Sequence, residues 1–168
     1  HDALPIYDSL TRLLNRRWVE AQISAAMQEG RPGVMIMLDI DWFKQINDTM
    51  GHPLGDQVLE TLGQAILAVF PDALSGRIGG DEFILYLRSD RDQINPLSTA
   101  GIIEETNRLM SVWETLRKQK GLTISVSASL GAARFPEQGQ QFDQLWYHAD
   151  QALYQAKAAG RGCLRFSG

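Results

Sequence analysis

Two apolar runs near the middle of the chain are joined by Arg77-Ile78-Gly79-Gly80-Asp81-Glu82-Phe83, and this stretch decides the fold. A glycine pair suits a two-residue hairpin, because both turn positions can adopt positive φ at no side-chain cost. We therefore expect residues 74–78 and 83–87 to form a β-hairpin with Asp81 and Glu82 at or just past its tip. The stretch itself leaves two interpretations open, a site that holds a divalent cation and an ordinary solvated turn.

A second acidic segment follows a continuous apolar run, Val34 to Leu38, which predicts a buried central strand. Asp39 and Asp41 come directly after it. If the hairpin lies on the neighbouring strand, carboxylates from two adjacent strands converge, and such oxygen ligands suit Mg²⁺. We therefore predict that Asp39 is a metal ligand, with a helix cap or a surface acid as the alternative. Asp41 is expected to be a structural cap or pair.

The remaining periodicity predicts helices interleaved with strands. Apolar residues at helical spacing favour a first helix from Asp8 or Ser9 to about Gln28 and a long helix from Pro96 to about Gln119. Further helices are predicted over 43–50, 56–70 and 142–159, a strand with a polar serine face over 124–130, and an edge strand over 164–166. Helices packed on a mostly antiparallel central sheet make this an α+β fold.

Composition excludes several classes of protein. A chain of 168 residues with 44% hydrophobic and 21% charged residues is one ordinary globular domain. The formal net charge of -4 gives no support for nucleic-acid binding. Cys163 is the single cysteine, so no internal disulfide can form. The apolar runs are too short to insert in a membrane, and no signal peptide is visible, but the missing initiator Met suggests a piece of a longer protein.

Four segments, in this order and spacing, resemble the GGDEF family of diguanylate cyclases. They are DSLTRLLNRR (8–17), LDIDWFKQINDTMGHPLGD (38–56), GGDEF (79–83) and ADQALYQAKAAGR (149–161). The resemblance covers 8–161 and implies a nucleotidyl-cyclase-like fold, related to ferredoxin-like and palm domains, with the GGDEF β-hairpin. It also implies a domain over 8–168, with 1–7 as a linker or a remnant of cloning.

The resemblance implies a reaction and a setting. Two GTP molecules are condensed into cyclic di-GMP with release of two pyrophosphates, at a site formed between the subunits of a homodimer. Phosphoryl-type transfer of this kind depends on positioning and charge stabilisation more than on covalent catalysis by the protein. The alternative is a non-catalytic GTP- or dinucleotide-sensing module that acts through protein partners. Either form is expected in the cytoplasm, with a sensory domain upstream and a membrane anchor as one possible context.

The family's metal and catalytic residues map onto the two acidic segments. Asp39, the backbone carbonyl of Ile40 and Asp81 would bind one or two Mg²⁺ (or Mn²⁺) ions, which polarise the α-phosphate and lower the pKa of the attacking hydroxyl. Glu82 would assist in deprotonation or metal binding. Asp81, Glu82 and Lys44 are the catalytic residues that the resemblance implies.

The nucleotide-binding residues follow in the same way. Lys44, with the backbone amides around Trp42 and Phe43 at a helix start, would hold the β- and γ-phosphates. Lys157 and Arg161 lie four apart, so both can face one phosphate.

Guanine would be read by a further pair of polar side chains. Asn47 and Asp56 match the family's base-reading positions. The Asp carboxylate can accept hydrogen bonds from guanine N1 and N2, and the Asn amide can act as donor or acceptor. Their alternative role is to cap helices. His52 is expected to be structural support first and a site residue second.

The pattern is broken in two places. Many relatives carry an Arg-x-x-Asp product-binding site before the hairpin, whereas this chain has Phe70-Pro71-Asp72-Ala73 there. We therefore predict that product inhibition through that site is absent. Arg12 and Leu14 replace a usual Gly and a common Pro, and we expect both on the first helix, with little effect on chemistry.

Overall fold

A computed structural model describes residues 4–89 and 97–168. The helices and strands of these segments, in chain order, are β1 (Leu14–Asn15), α1 (Arg16–Gln28), β2 (Gly33–Ile40), α2 (Phe43–Met50), α3 (His52–Val69), β3 (Leu74–Arg77), β4 (Glu82–Arg88), α4 (Thr99–Gln119), β5 (Ala128–Phe135), α5 (Phe142–Ala158) and β6 (Leu164–Phe166). No helix in the described segments combines the length and the apolarity needed to cross a bilayer.

The strands form one six-stranded sheet in the order β1-β3-β4-β2-β5-β6. The four central strands pair antiparallel, whereas each edge strand pairs parallel with its neighbour. This arrangement confirms the predicted α+β fold with a mostly antiparallel sheet. All eight residues of β2 are buried, which confirms the predicted central strand.

Helices cover both faces of the sheet, and this explains the continuous apolar run of β2. Val34, Ile36 and Leu38 join the core cluster that contains α3 and α4 residues. Met35 and Met37 point to the opposite face and pack with residues of α1 and α5. Successive side chains of a strand point to opposite faces, so a strand covered on both sides is apolar at every position.

The first helix begins at Arg16, not at Asp8 or Ser9 as predicted. The Asp8 carboxylate accepts hydrogen bonds from Thr11 N (2.9 Å) and Thr11 Oγ1 (2.7 Å), and this local bonding competes with a helix. Arg12 has a left-handed φ of 66°. Arg12 and Leu14 therefore precede the helix, contrary to expectation, and Arg12 occupies a conformation that favours glycine.

The hairpin forms between β3 and β4, but its turn differs from the predicted one. Neither Gly79 nor Gly80 adopts a left-handed φ. The strands are instead joined by 78–81, with Ile78 N donating to Glu82 O at 2.9 Å. The Arg77 guanidinium donates to Gly79 O (3.1 Å) and Gly80 O (2.8 Å), which fixes the turn through carbonyls rather than through positive φ.

Two other boundaries are shifted. The strand predicted over 124–130 is observed at Ala128–Phe135, because the ladder with β2 ends where Ala128 pairs with Ile40, the last residue of β2; just before it, Ser127 O accepts from Asp41 N at 2.9 Å. The helix predicted from Asp56 begins at His52, with Pro53 in its first turn. The predicted start of the long helix at Pro96 lies outside the described residues; α4 is capped by Ser98, which accepts from Gly101 N.

Candidate active site

The acidic residues of the two predicted segments lie at the same end of two adjacent strands. Asp39 of β2 is directly opposite Glu82 of β4 in the antiparallel register. Ile40 N donates to Asp81 O at 3.2 Å, which ties the hairpin turn to the end of β2. The structure therefore brings Asp39, Ile40, Asp81 and Glu82 together, as the sequence predicted.

The pKa values of Asp81 and Glu82 are both raised. Burial raises the pKa of Asp81, and the neighbouring Asp39 charge raises it further. Burial also raises the pKa of Glu82, with additional contributions from Asp39 and Asp81. In both cases Lys157 acts in the opposite direction. The negative charge at this end of the sheet is therefore not fully neutralised by nearby cationic groups.

Asp39 has one carboxylate oxygen that a cation could use. The residue is 7% exposed, and its Oδ2 contacts Lys157 Nζ. Its Oδ1 is buried without a hydrogen-bond partner among the described residues. A buried unpartnered oxygen is costly, so a cation at this position would relieve the penalty.

The donor set fits a hard divalent cation that shares its ligands with a substrate. Within 4–89 and 97–168 no group of three or more His, Cys, Asp or Glu side chains is placed to hold a metal. Two carboxylates and the Ile40 carbonyl would leave half of the six positions of an octahedral ion to water and phosphate oxygens. Mg²⁺ is commonly bound in this way.

We expect Asp39→Asn to lower the pKa of both Asp81 and Glu82, because the Asp39 charge contributes to raising each of them. The measurement is a carboxyl-carbon NMR titration without nucleotide or metal. Asp72→Asn, in an exposed position that contributes to neither shift, is the matched control. Unchanged midpoints in Asp39→Asn would contradict the proposed charge coupling.

A cleft next to the acids is lined by cationic groups. Its volume is about 270 Å³, and it is lined by Ile40, Asp41, Trp42, Phe43, Lys44, Gln45, Asp81, Lys157 and Arg161. Whole-ligand pockets usually measure about 300–1,000 Å³, so this cleft accounts for only part of a nucleotide. The start of α2 has no side-chain cap, which leaves its first N–H groups available to an anion.

Lys157 and Arg161 both reach the cleft from the end of α5. Lys157 lies in the last helical turn and contacts Asp39, rather than standing free for a phosphate. Arg161 follows the helix, with its N–H bonded to Ala156 O at 3.0 Å and a left-handed φ of 66°. Its guanidinium carbon lies 4.2 Å from the centroid of the Trp42 ring.

The predicted base-reading residues lie beside the cleft, not in it. Asn47 is on α2 and Asp56 on α3, and Gly55 lets the two helices approach closely, since an added Cβ there would meet Asn47 Oδ1 at 1.9 Å. The alternative that either residue caps a helix is wrong, because α3 is preceded by Gly51 and has no side-chain cap. His52 is the exposed first residue of α3.

Asp41 is a structural residue, as predicted, and its partners lie far away in sequence. Its carboxylate accepts from Ser127 Oγ (2.6 Å), Ser129 Oγ (2.7 Å) and Gly162 N (3.0 Å). These bonds join the end of β2 to β5 and to the turn after Arg161. The alternating serines were visible in the sequence as a polar strand face, but nothing indicated which residue they bind.

Arg77 is a further residue whose role the sequence did not reveal. Besides binding the turn carbonyls, its guanidinium lies 3.4 Å from Asp8 Oδ1. Burial alone would raise the pKa of Asp8, but the hydrogen bonds from Thr11 and the Arg77 charge hold it below its usual value. Arg77 thus anchors the acidic hairpin to the segment before β1.

Comparison with known proteins identifies the family. The family described as "Diguanylate cyclase, GGDEF domain" matches residues 5–163. Among individual relatives, "Diguanylate cyclase DosC" of Escherichia coli is 38% identical over 159 residues, which cover 92% of this chain and 33% of that protein. The chain spans 20–37% of the length of the curated relatives it matches.

Solved structures agree with this assignment. The GGDEF domain of TpbB from Pseudomonas aeruginosa superposes with a TM-score of 0.83 at 32% identity, covering 96% of this chain and 94% of that one. Diguanylate cyclase SiaD of the same organism, solved with its activator SiaC, has a TM-score of 0.82 at 36% identity. The match covers 96% of this chain and 61% of the SiaD chain. The matched segment contains the whole acidic site and the cleft, and the chain therefore belongs to the GGDEF domain family of diguanylate cyclases.

Proposed function

We propose that this domain condenses two GTP molecules into cyclic di-GMP and releases two pyrophosphates. The observation that carries the proposal is the acidic end of β2 and β4 beside a cleft lined by Lys44, Lys157 and Arg161. Acids that can hold a metal, next to cations that can hold phosphates, suit phosphoryl transfer, in which positioning and charge stabilisation do most of the catalysis.

In this proposal the cleft binds the triphosphate. Lys44 and the free N–H groups at the start of α2 receive the β- and γ-phosphates, and Arg161 adds a further cation to the cleft. Asp39, Ile40 and Asp81 hold Mg²⁺ or Mn²⁺, which when bound polarises the α-phosphate. A metal would use Asp39 Oδ1, and Lys157, which contacts Oδ2 of the same carboxylate and also lines the cleft, would lie beside both the metal and the phosphates.

Glu82 is the residue that we propose to take the proton of the attacking 3′-hydroxyl. Its side chain is exposed at the hairpin, and its raised pKa makes its carboxylate a stronger base than an ordinary Glu. The hydroxyl comes from a GTP held by a second copy of the domain, because one cleft holds one triphosphate. Turnover therefore requires a homodimer with the two sites facing each other.

Asn47 and Asp56 are proposed to select guanine. Asn47 lies on α2, whose first turn lines the cleft, and Asp56 lies on α3, which packs closely against α2 next to Asn47. Adenine would leave the acceptor oxygens of Asp56 without the N1 and N2 donors of guanine, and unpaired polar groups discriminate strongly. His52, exposed at the start of α3, is proposed as structural support first and a site residue second.

The decisive test is the incubation of the purified domain with GTP and Mg²⁺, followed by chromatography for cyclic di-GMP. We expect product, and a rate per subunit that rises with protein concentration because two copies complete one site. ATP in place of GTP is the control for base selection. If GTP binds but is not converted even when dimerisation is forced, the domain is instead a GTP-sensing module that acts through partners.

Control of this activity is proposed to come from outside the chain. The curated relatives are much longer than this chain, and SiaD is bound by an activator protein. We propose that an upstream sensory domain sets how often two copies meet. GTP is a cytoplasmic nucleotide, so the domain is proposed to act there.

We expect no product inhibition at the segment before the hairpin. Phe70 there is 7% exposed and packs in the core, and neither an Arg nor an Asp stands at the family's positions. The measurement is calorimetric titration of cyclic di-GMP together with turnover at rising product concentration. Asp72→Ala is expected to change neither result. Tight binding that Asp72→Ala weakens would contradict the prediction.

A further inference from the structure

The side chain of Trp42 stacks on Arg161 at the wall of the cleft. The Arg161 guanidinium carbon lies 4.2 Å from the ring centroid, which is within the range of a cation–π contact. Trp42 is 59% exposed, so the ring is not held there by burial in the core. A large aromatic ring at the surface that covers one face of a cation needs an explanation beyond packing.

Both residues are held in place by unusual backbone conformations. Trp42 has φ 59° and Arg161 has φ 66°, both in the left-handed region that is uncommon for residues other than glycine. Trp42 directly precedes α2, and Gly162, the residue after Arg161, donates its N–H to Asp41. The two side chains therefore start from backbone positions that neighbouring structure fixes.

The Arg161 guanidinium has N–H donors that are available to a ligand. Within the described segments no hydrogen bond or ion pair engages its side chain; its one specific contact is the Trp42 ring. The contact with the ring supplies no oxygen acceptor, so the guanidinium N–H groups can still donate to a ligand. Those N–H groups form the fork that matches two phosphate oxygens.

We propose that Trp42 is a positioning residue that orients Arg161 for a phosphate group in the cleft. The proposal rests on the proposed function only in that the ligand carries a polyphosphate. The ring restricts the long arginine side chain before the ligand arrives, so less conformational entropy is lost on binding. This role belongs to the Trp42 side chain and is separate from the role proposed for the backbone N–H groups nearby.

The experiment uses inorganic tripolyphosphate with Mg²⁺ as the probe, titrated calorimetrically into the domain. An exposed cation–π contact corresponds to about a two- to fivefold change in affinity. We expect Trp42→Leu to weaken tripolyphosphate binding by that factor and Trp42→Phe to retain most of the affinity, because a phenyl face still attracts the cation. Binding of guanosine, which has no phosphate, is expected to be unchanged.

A double-mutant cycle isolates the route through Arg161. In an Arg161→Gln background, Trp42→Leu is expected to have no further effect. Tyr147→Leu is the matched control, since Tyr147 is 60% exposed, lies on α5 and does not line the cleft. Three results would each overturn the proposal. Trp42→Leu has an equally large effect without Arg161, Trp42→Leu binds tripolyphosphate as tightly as the wild type, or the wild type does not bind tripolyphosphate.

The two proposals fail in different ways. If the domain makes no cyclic di-GMP but its tripolyphosphate affinity depends on Trp42 through Arg161, the cyclase assignment falls and the positioning role stands. If cyclic di-GMP is made and Trp42→Leu binds tripolyphosphate normally, the positioning role falls and the cyclase assignment stands.

Discussion

Asp81→Ala is expected to abolish cyclic di-GMP synthesis while the domain stays folded. The carboxylate is proposed to bind the metal, and the charge stabilisation lost with a metal ligand amounts to several kcal/mol, or about a thousandfold in rate. The fold does not depend on this side chain, because the contact of Asp81 with β2 is made by its backbone oxygen, which accepts from Ile40 N at 3.2 Å.

The same substitution is expected to raise the stability of the folded domain at neutral pH. The pKa of Asp81 is raised in the folded state above its ordinary value of 3.8, first by burial and then by the Asp39 charge. Between the unfolded and folded pKa values the folded state binds more protons, so stability falls as pH rises through that window and stays lowered above it. Removing the carboxylate removes this penalty, which is typical of a site that trades stability for activity.

The measurements are turnover of GTP and thermal unfolding of the same preparations at pH 7. Asp72→Ala, an exposed acid in the turn after α3, is the control that removes one negative charge outside the cleft. It is expected to keep full activity and nearly the same melting temperature. Full activity of Asp81→Ala would exclude the proposed metal ligand, and a large loss of stability would show that the carboxylate has a structural role.

The sequence predicted those parts of the fold that depend on local pattern. The apolar run before Asp39 predicted a central strand, and 43–50 predicted α2 with the bounds that the structure has. Both predictions depend on which residues of one short element are buried, and the spacing of apolar residues shows this directly. The acids were placed correctly for the same reason, because a strand end and a hairpin tip are local features.

Errors arose where side chains bind backbone groups that periodicity does not report. Leu10, Leu13 and Leu14 have helical spacing, yet Asp8 and Thr11 form a hydrogen-bonded turn there and the helix starts later. At the hairpin, Arg77 binds the carbonyls of Gly79 and Gly80, so the glycines need no positive φ. Each of these errors comes from a polar side chain that hydrogen-bonds to groups two or three residues along the chain.

Parts of the candidate site were beyond sequence reasoning because they depend on tertiary contacts. The bonds of Asp41 to Ser127 and Ser129 at the start of β5, and the contact of Arg161 with the Trp42 ring, join residues more than eighty positions apart. Gly131 is a further case. Nothing in Leu130-Gly131-Ala132 distinguishes this glycine from an ordinary small residue, yet the structure places a helix backbone directly against it.

Gly131→Ala is expected to destabilise the domain more than any surface substitution. A Cβ at this position of β5 would lie 2.1 Å from Leu153 N, 2.3 Å from Ala149 O and 2.7 Å from Leu153 Cα. All of these atoms belong to the α5 backbone, so a change of rotamer cannot relieve the contact and the helix itself has to shift. We expect a loss of about 3 kcal/mol or more in the free energy of unfolding.

Differential scanning calorimetry measures this loss as a fall of about 6–12 °C in the melting temperature for a domain of this size. Gly80→Ala is the matched control, because no heavy atom lies within 4 Å of its added Cβ and its φ is not left-handed. We expect that variant to change stability by about 0.5 kcal/mol at most. In Gly131→Ala the displaced helix also carries Lys157, so binding of tripolyphosphate weakens in the molecules that remain folded. A melting temperature equal to that of Gly80→Ala would mean that α5 does not pack on β5 as closely as described.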